Sequence, residues 1–218
     1  MREQFHDELQ ALTDTLLDMT ALTATAVRNA SNALIDADLA LAESVISADE
    51  QLDSKQLELE QRAVNLLARQ QPVATDLRVL VTSFKIAMEL ERMGKLARHL
   101  AKLARMRYPN RVVPDEVTPT IIDMAHVADL LITKVRTVLQ TRDPDLAAQL
   151  DVDDDEMDRL HRHLFEVILA PVWSHGVEAA VDVTLCGRFY ERFADHAVTV
   201  GRRVIYLATG ERLPADVG

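Results

Sequence analysis

The chain has 218 residues, enough for one medium domain or two small ones, and 48% of them are hydrophobic but only 4% aromatic. This composition, with 6 glycines and 7 prolines, favours long helices packed through aliphatic side chains and argues against a β-sandwich. The formal net charge of −11 disfavours nucleic acid and anionic lipid as partners.

Three long helices are predicted in the first half of the chain. Apolar residues recur every three or four positions from Leu9 to Leu34, as expected for one amphipathic helix. A second helix is predicted over about 39–68. A third, capped by Thr75, is predicted to continue to about Arg107.

A proline-rich segment separates this half from a second one with the same organisation. The stretch RYPNRVVPDEVTP, residues 107–119, holds three prolines and is the clearest linker in the sequence. Thr118 is predicted to cap a fourth helix, with Pro119 at its first position.

Two further helices complete the second half. Asp143 and Pro144 repeat the cap pattern, and the fifth helix is predicted to run to about Trp173. The sequence SHGVE ends it. The sixth helix is predicted to run to about Thr209, with Gly210 as its C-terminal cap.

The two halves are also related in sequence. MELERMGKLARHLAKLA resembles RFYERFADHAVTVGRRV, and the Glu91–Arg92 pair lies 100 positions before Glu191–Arg192. DADLALAESVISADEQLD in the first half resembles DPDLAAQLDVDDDEMD in the second. A repeat this long is unlike a solenoid unit. We therefore predict an all-α fold of two tandem, sequence-related three-helix bundles, residues 1–109 and 110–218.

Pairs of acids four residues apart are the strongest candidates for a binding site. Glu191 and Asp195 form one pair on the sixth helix, and Asp154 and Asp158 form another on the fifth. Like charges at this spacing destabilise an isolated helix by a few tenths of a kcal/mol. If the two helices place the pairs face to face, a hard divalent or trivalent cation would relieve the repulsion. The alternative is a solvated acidic surface in which Glu191 pairs with a neighbouring arginine, Arg188 or Arg192.

The first half carries an altered copy of the same element. Asp49 and Asp53 correspond to the pair on the fifth helix, and Glu91 corresponds to Glu191. Lys95 stands where the second half has Asp195. An ammonium group at that place repels a cation and can itself pair with Glu91 or Asp53.

Other chemistry is poorly supported by the sequence. There is no glycine-rich phosphate loop, and Glu-x-x-His occurs only at Glu3 and His6, so the paired motifs of a di-iron oxidase are missing. Cys186 is the only cysteine, which excludes an intramolecular disulfide and fits a reducing cytoplasm. No run approaches the roughly 20 apolar residues of a membrane span, so direct membrane insertion is not expected.

These residues resemble the PhoU family of phosphate-uptake regulators. RFYERFADHAVTVGRRVIYLATGE is similar to the closing helix of that family, and TDLRVLVTSFKIAMELERMGKLARHLAKLA is similar to its third helix. The variants HRHL and YERFADHAVTVGRR are most similar to the actinobacterial branch known as PhoY. The resemblance covers nearly the whole chain.

The resemblance implies a cytoplasmic, non-enzymatic negative regulator that forms a homodimer. Family members dampen phosphate import by the Pst ABC transporter and help keep the associated sensor histidine kinase inhibited. Their partners are the ATPase subunit of the transporter and the PAS-containing region of the kinase. Two alternatives remain at this point: a helical histidine-phosphotransfer module using His99 or His126, and a carboxylate-bridged metalloprotein.

The resemblance also implies metal sites, carried over residue by residue. The second site would use Asp154, Asp158, Glu191 and Asp195, with iron, zinc, manganese or magnesium as the ion. The first would use Asp49, Asp53 and Glu91, with Lys95 in the fourth position. We therefore predict that the first site binds metal weakly or not at all and is stabilised by an internal salt bridge.

Overall fold

Helices make up almost all of the part of the chain that the computed structural model describes, which is residues 2–70 and 72–211. No strand occurs within these residues, so the all-α prediction is confirmed. In chain order the helices are α1 (Arg2–Asp36), α2 (Leu39–Gln70), α3 (Ala74–Arg107), α4 (Thr118–Thr141), α5 (Pro144–Ile168) and α6 (Gly176–Thr209).

Several helix ends follow the predicted capping chemistry. The Asp143 carboxylate accepts hydrogen bonds from the backbone N–H groups of Asp145 and Leu146, with Pro144 at the first turn of α5. At the end of α6, Gly210 adopts φ 81° and donates its backbone N–H to the Tyr206 carbonyl. This left-handed conformation favours glycine, which has no Cβ.

Three predicted ends were wrong. The residue before α3 is Val73, and Thr75 lies inside the helix. Thr118 also lies inside its helix, where its hydroxyl donates to the Pro114 carbonyl at 3.0 Å. The fifth helix ends at Ile168, before Trp173. Pro171 explains the early end, because proline has no N–H group and disfavours helical geometry in the residue before it.

The helices form two three-helix bundles that pack side by side. Helices α1, α2 and α3 contact one another in the first bundle, and α4, α5 and α6 do so in the second. Helix α3 packs against α6 and α1 packs against α4, which joins the bundles. Their buried apolar side chains form one continuous cluster. The domain limits 1–109 and 110–218 stay a prediction.

The contact between α3 and α6, called here the seam, contains buried charges. Glu89 of α3 is only 4% exposed and accepts hydrogen bonds from His196 Nδ1 at 2.9 Å and Arg203 Nη2 at 2.7 Å. Burial acts to raise the pKa of Glu89, but these hydrogen bonds outweigh it and lower the pKa to about 2. Further along the seam, Arg107 Nε donates to the buried Asp182 at 2.6 Å. The bundles are therefore held together by ion pairs as well as by apolar contact.

No helix within the described residues has the length and apolarity needed to cross a membrane.

Candidate functional site

Helices α5 and α6 approach each other closely at two points, one on each side of the acid pairs Asp154/Asp158 and Glu191/Asp195. A Cβ atom on Gly201 would lie 2.8 Å from the Ala147 carbonyl oxygen, and one on Gly187 would lie 2.8 Å from Leu164 Cδ1. Real Cβ atoms do not come so close, so the two glycines permit this approach. The acids lie along the helices between these two contact points.

The four acids of the second site form one electrostatically coupled group, called here the second cluster: Asp154, Asp158, Glu191 and Asp195. The Oδ1 atom of Asp154 is buried and has no hydrogen-bond partner among the described residues. Burial, followed by the charges of Asp158 and Asp195, raises the pKa of Asp154 to about 7. Burial and Asp195 also raise the pKa of Glu191. These carboxylates therefore lie close enough for their charges to act on one another, and the metal site they would form stays a prediction.

One arginine at the edge of the second cluster neutralises part of its charge. Nη1 of Arg188 lies 2.6 Å from both carboxylate oxygens of Glu191. Outside the cluster, Arg202 donates to Asp151 at 2.8 Å. The pairing of Glu191 with Arg188, one of the alternatives from the sequence, is thus present. With the side chains in these positions, no group of three or more His, Cys, Asp or Glu residues in the described ranges is arranged to hold a metal ion.

The corresponding acids of the first bundle surround a lysine. Nζ of Lys95 lies 2.7 Å from Asp53 Oδ1, 2.8 Å from Glu91 Oε1 and 3.8 Å from Asp49 Oδ2. Partial burial acts to lower the pKa of Lys95, but the hydrogen bonds to Asp53 and Glu91 outweigh it and raise the pKa. The predicted internal salt bridge is therefore present. We call Asp49, Asp53, Glu91 and Lys95 the first cluster.

Sequence reasoning missed a second cation in the first cluster. Arg98 donates a hydrogen bond to Asp49, whose carboxylate is almost fully buried. The available signal was the spacing, since Arg98 follows Lys95 by three residues and so lies on the same helix face. The three acids of the first cluster therefore pair with two cations, Lys95 within the cluster and Arg98 beside it.

The remaining candidates occupy varied positions. His196 faces Glu89 in the seam, and Cys186 is buried in the core, which raises the pKa of its thiol. His161 packs against Gly187, and burial lowers the pKa of His161. Two candidates from the phosphotransfer alternative, His99 and His126, are exposed, with His99 stacked on Phe189 at 5.2 Å between ring centroids. The side chains of Glu3 and His6 lie outside the described ones.

Comparison with known proteins identifies relatives over the whole length of the chain. The sequence model of the PhoU domain matches residues 16–104 and 121–204. Phosphate-specific transport system accessory protein PhoU homolog 1 of Mycobacterium leprae is 49% identical over 216 residues, which cover 99% of this chain and 97% of that protein. PhoU homolog 2 of Mycobacterium tuberculosis is 48% identical over 210 residues, covering 96% of this chain and 99% of that protein.

Solved structures show the same fold. The crystal structure of PhoU from Pseudomonas aeruginosa superposes with a TM-score of 0.84 at 28% identity, covering 95% of this chain and all 100% of the other. The phosphate transport system regulatory protein PhoU from Streptococcus pneumoniae gives a TM-score of 0.87 at 23% identity, covering 97% and 100% of the two chains. At that lower identity the likeness shows the fold alone.

Proposed function

Since the chain belongs to the PhoU family, we propose that it is an accessory protein of a phosphate-specific transport system and a negative regulator of phosphate uptake. The observation that carries the proposal is the match, over 99% of the chain, to the Mycobacterium leprae protein that is named a phosphate-specific transport system accessory protein. The regulator acts by binding rather than by catalysis. Its partners are the ATPase subunit of the transporter and the phosphate-responsive sensor histidine kinase.

The mechanism we propose is a shift of population. Partner proteins change conformation with transport activity, and a regulator that binds one of those conformations more tightly raises its population. Long, rigid helical faces suit this role, because they present the same surface before and after binding.

Co-purification tests the proposed partners. A tagged copy of the full chain is recovered from cells grown in low and in high phosphate, and the ATPase subunit and the kinase are sought by mass spectrometry. We expect at least one of them, in amounts that change with phosphate. Recovery of neither partner in either condition would overturn the proposal.

We also propose that the second cluster holds a divalent or trivalent metal ion. The support is the buried Oδ1 atom of Asp154, which has no hydrogen-bond partner among the described residues, and the neighbouring negative charges that act on this carboxyl. Carboxylate oxygens are the ligands that magnesium and manganese prefer, and iron and zinc accept them too. A bound ion would supply the positive charge that offsets the repulsion among these acids.

The residues of the first cluster do not fit a metal in the same way, because Lys95 already contacts its acids. Metal content is measured by elemental analysis in the parent, in the double variant Glu191→Ala and Asp195→Ala, and in the matched variant Asp53→Ala. We expect metal to be lost only from the double variant. Equal content in parent and double variant, or none in the parent, would overturn the proposed site.

The proposal includes a cytoplasmic location and a homodimer, both supported by the family resemblance. Light scattering coupled to size exclusion checks the dimer directly. A mass equal to the 24.4 kDa monomer at micromolar concentration would contradict it.

A further inference from the structure

Each acidic cluster is partly neutralised by cations, but at different places. In the first cluster the cation that contacts all three acids is Lys95, which occupies the position equivalent to Asp195. In the second cluster the cation is Arg188, one turn before Glu191. The residue equivalent to Arg188 in the first bundle, 100 positions earlier, is Met88. The two halves therefore differ in where the neutralising charge sits.

The two cations also differ in how firmly they are held. Lys95 lies within 4 Å of three carboxylates, on Asp49, Asp53 and Glu91. Arg188 contacts one carboxylate of the second cluster, Glu191, and its side chain is 51% exposed. Because the guanidinium is half exposed, water replaces part of its hydrogen bonding when it leaves Glu191. Its departure therefore costs less than the departure of Lys95 from three carboxylates.

Glu191 cannot serve Arg188 and a metal ion equally well. Both of its oxygens lie 2.6 Å from Nη1 of Arg188, so a cation bound to either oxygen would lie close to the guanidinium. Two positive charges at that separation repel strongly where water is partly excluded, and the Glu191 side chain is only 16% exposed. Binding of the one therefore opposes binding of the other.

We propose that Arg188 is a displaceable counter-ion of the second cluster, which competes with a bound metal ion for Glu191 and is released to solvent when the ion binds. The inference rests on the metal site proposed above and adds its regulation. Linkage between two ligands is reciprocal. If bound metal tightens the binding of an acidic partner to the free guanidinium, that partner tightens metal binding by the same factor. Metal occupancy is thereby connected to the charge presented at the surface.

The test uses the full chain, stripped with EDTA and titrated with Mn²⁺ by calorimetry. The variant Arg188→Met introduces the residue found at the equivalent position of the first bundle, and Arg192→Met is the matched control. Arg192 is exposed and its charge also acts on Glu191. We expect Arg188→Met to bind Mn²⁺ about fivefold more tightly than the parent, and Arg192→Met less than about twofold more tightly.

A second readout follows the guanidinium itself. Arginine modification by p-hydroxyphenylglyoxal, quantified by peptide mass spectrometry, should become faster at Arg188 when Mn²⁺ is added and should not change at Arg192. An unchanged rate at Arg188 would overturn the inference. So would equal affinities in the two variants, and in that case the metal site itself would stand. If neither the parent nor Arg188→Met binds Mn²⁺, the metal site and the inference fall together.

Discussion

Replacing Glu89 by glutamine should destabilise the fold and remove part of its response to acid. The carboxylate is 4% exposed and accepts hydrogen bonds from His196 and Arg203 across the seam. Its pKa of about 2 lies well below the ordinary value of 4.5. At about 1.4 kcal/mol per pH unit, the ionised form would contribute at most roughly 3 to 4 kcal/mol. Since the Arg203 side chain is 29% exposed, screening by water reduces our expectation to about 2 kcal/mol.

The pH dependence has a definite sign. A carboxyl whose pKa is lowered by folding stabilises the protein above its unfolded pKa, and that stabilisation is lost as the pH falls. For Glu89 the loss occurs between pH 4.5 and about 2. The free energy of unfolding of parent and variant should therefore differ by about 2 kcal/mol at pH 7 and by about half of that or less near pH 3.

Urea unfolding followed by far-UV circular dichroism at these two pH values measures both differences. The control is Glu43→Gln, because Glu43 pairs with Arg105 at 3.5 Å but is 51% exposed. We expect this control to lose less than about 1 kcal/mol. A loss in Glu89→Gln that is the same at both pH values, or no larger than in the control, would refute the reasoning.

Three further predictions concern the clusters and the helix contacts. Lys95→Asp should lower the free energy of unfolding in EDTA by about 2 kcal/mol, because it leaves the acids of the first cluster without their central cation, and added Mn²⁺ should restore part of the loss. Asp154→Asn should stabilise the metal-free protein at pH 8 in urea unfolding. Because folding raises the pKa of Asp154 to about 7, the free energy of unfolding of the parent falls as the pH rises towards that value. The variant should lack this fall. Gly201→Ala should cost about 2 kcal/mol in the same assay, because its Cβ would meet a backbone carbonyl.

Each of these has a matched comparison. Lys55→Asp removes a lysine of similar exposure that pairs with one acid, Asp18, and should lose less stability than Lys95→Asp, with no recovery on adding Mn²⁺. The Asp154 prediction fails if parent and variant show the same change in stability between pH 5 and pH 8. In Gly94→Ala the new Cβ meets only the end of the Leu52 side chain, which can move, so a loss as large as in Gly201→Ala would contradict the argument.

Much of the fold was predictable because helix patterns are local. The three-to-four residue repeat of apolar side chains and the cap at Asp143 depend only on neighbours in sequence, and both agree with the structure. The failures at Thr75 and Thr118 have one cause. A threonine at the start of a helical pattern suggests a cap, but the helix begins wherever the backbone geometry permits, which the residue type alone does not determine.

Spacing along a helix predicted which side chains share a face, but it identified few of the partners that meet them from another helix. It placed Glu191 and Asp195 on one face and Arg98 on the face of Lys95, but it did not show that Arg98 pairs with Asp49 or that Glu89 pairs with His196. Those partners come from different helices, and their contact depends on how the bundles pack. Although His196 follows Asp195 directly, consecutive residues point about 100° apart on a helix, so His196 faces α3.

The seam has a consequence for symmetry. In a homodimer of identical three-helix bundles, an isologous interface would have to repeat every contact twice about its axis. Here the two bundles belong to one chain, and the positions equivalent to Glu89 and His196 are held by Phe189 and Leu96. The buried hydrogen bond between Glu89 and His196 therefore has no counterpart at the equivalent positions, where Phe189 stacks on His99 instead. Fusion frees each half to diverge, so a pseudo-symmetric molecule can hold a polar contact in one half of an interface and an aromatic one in the other.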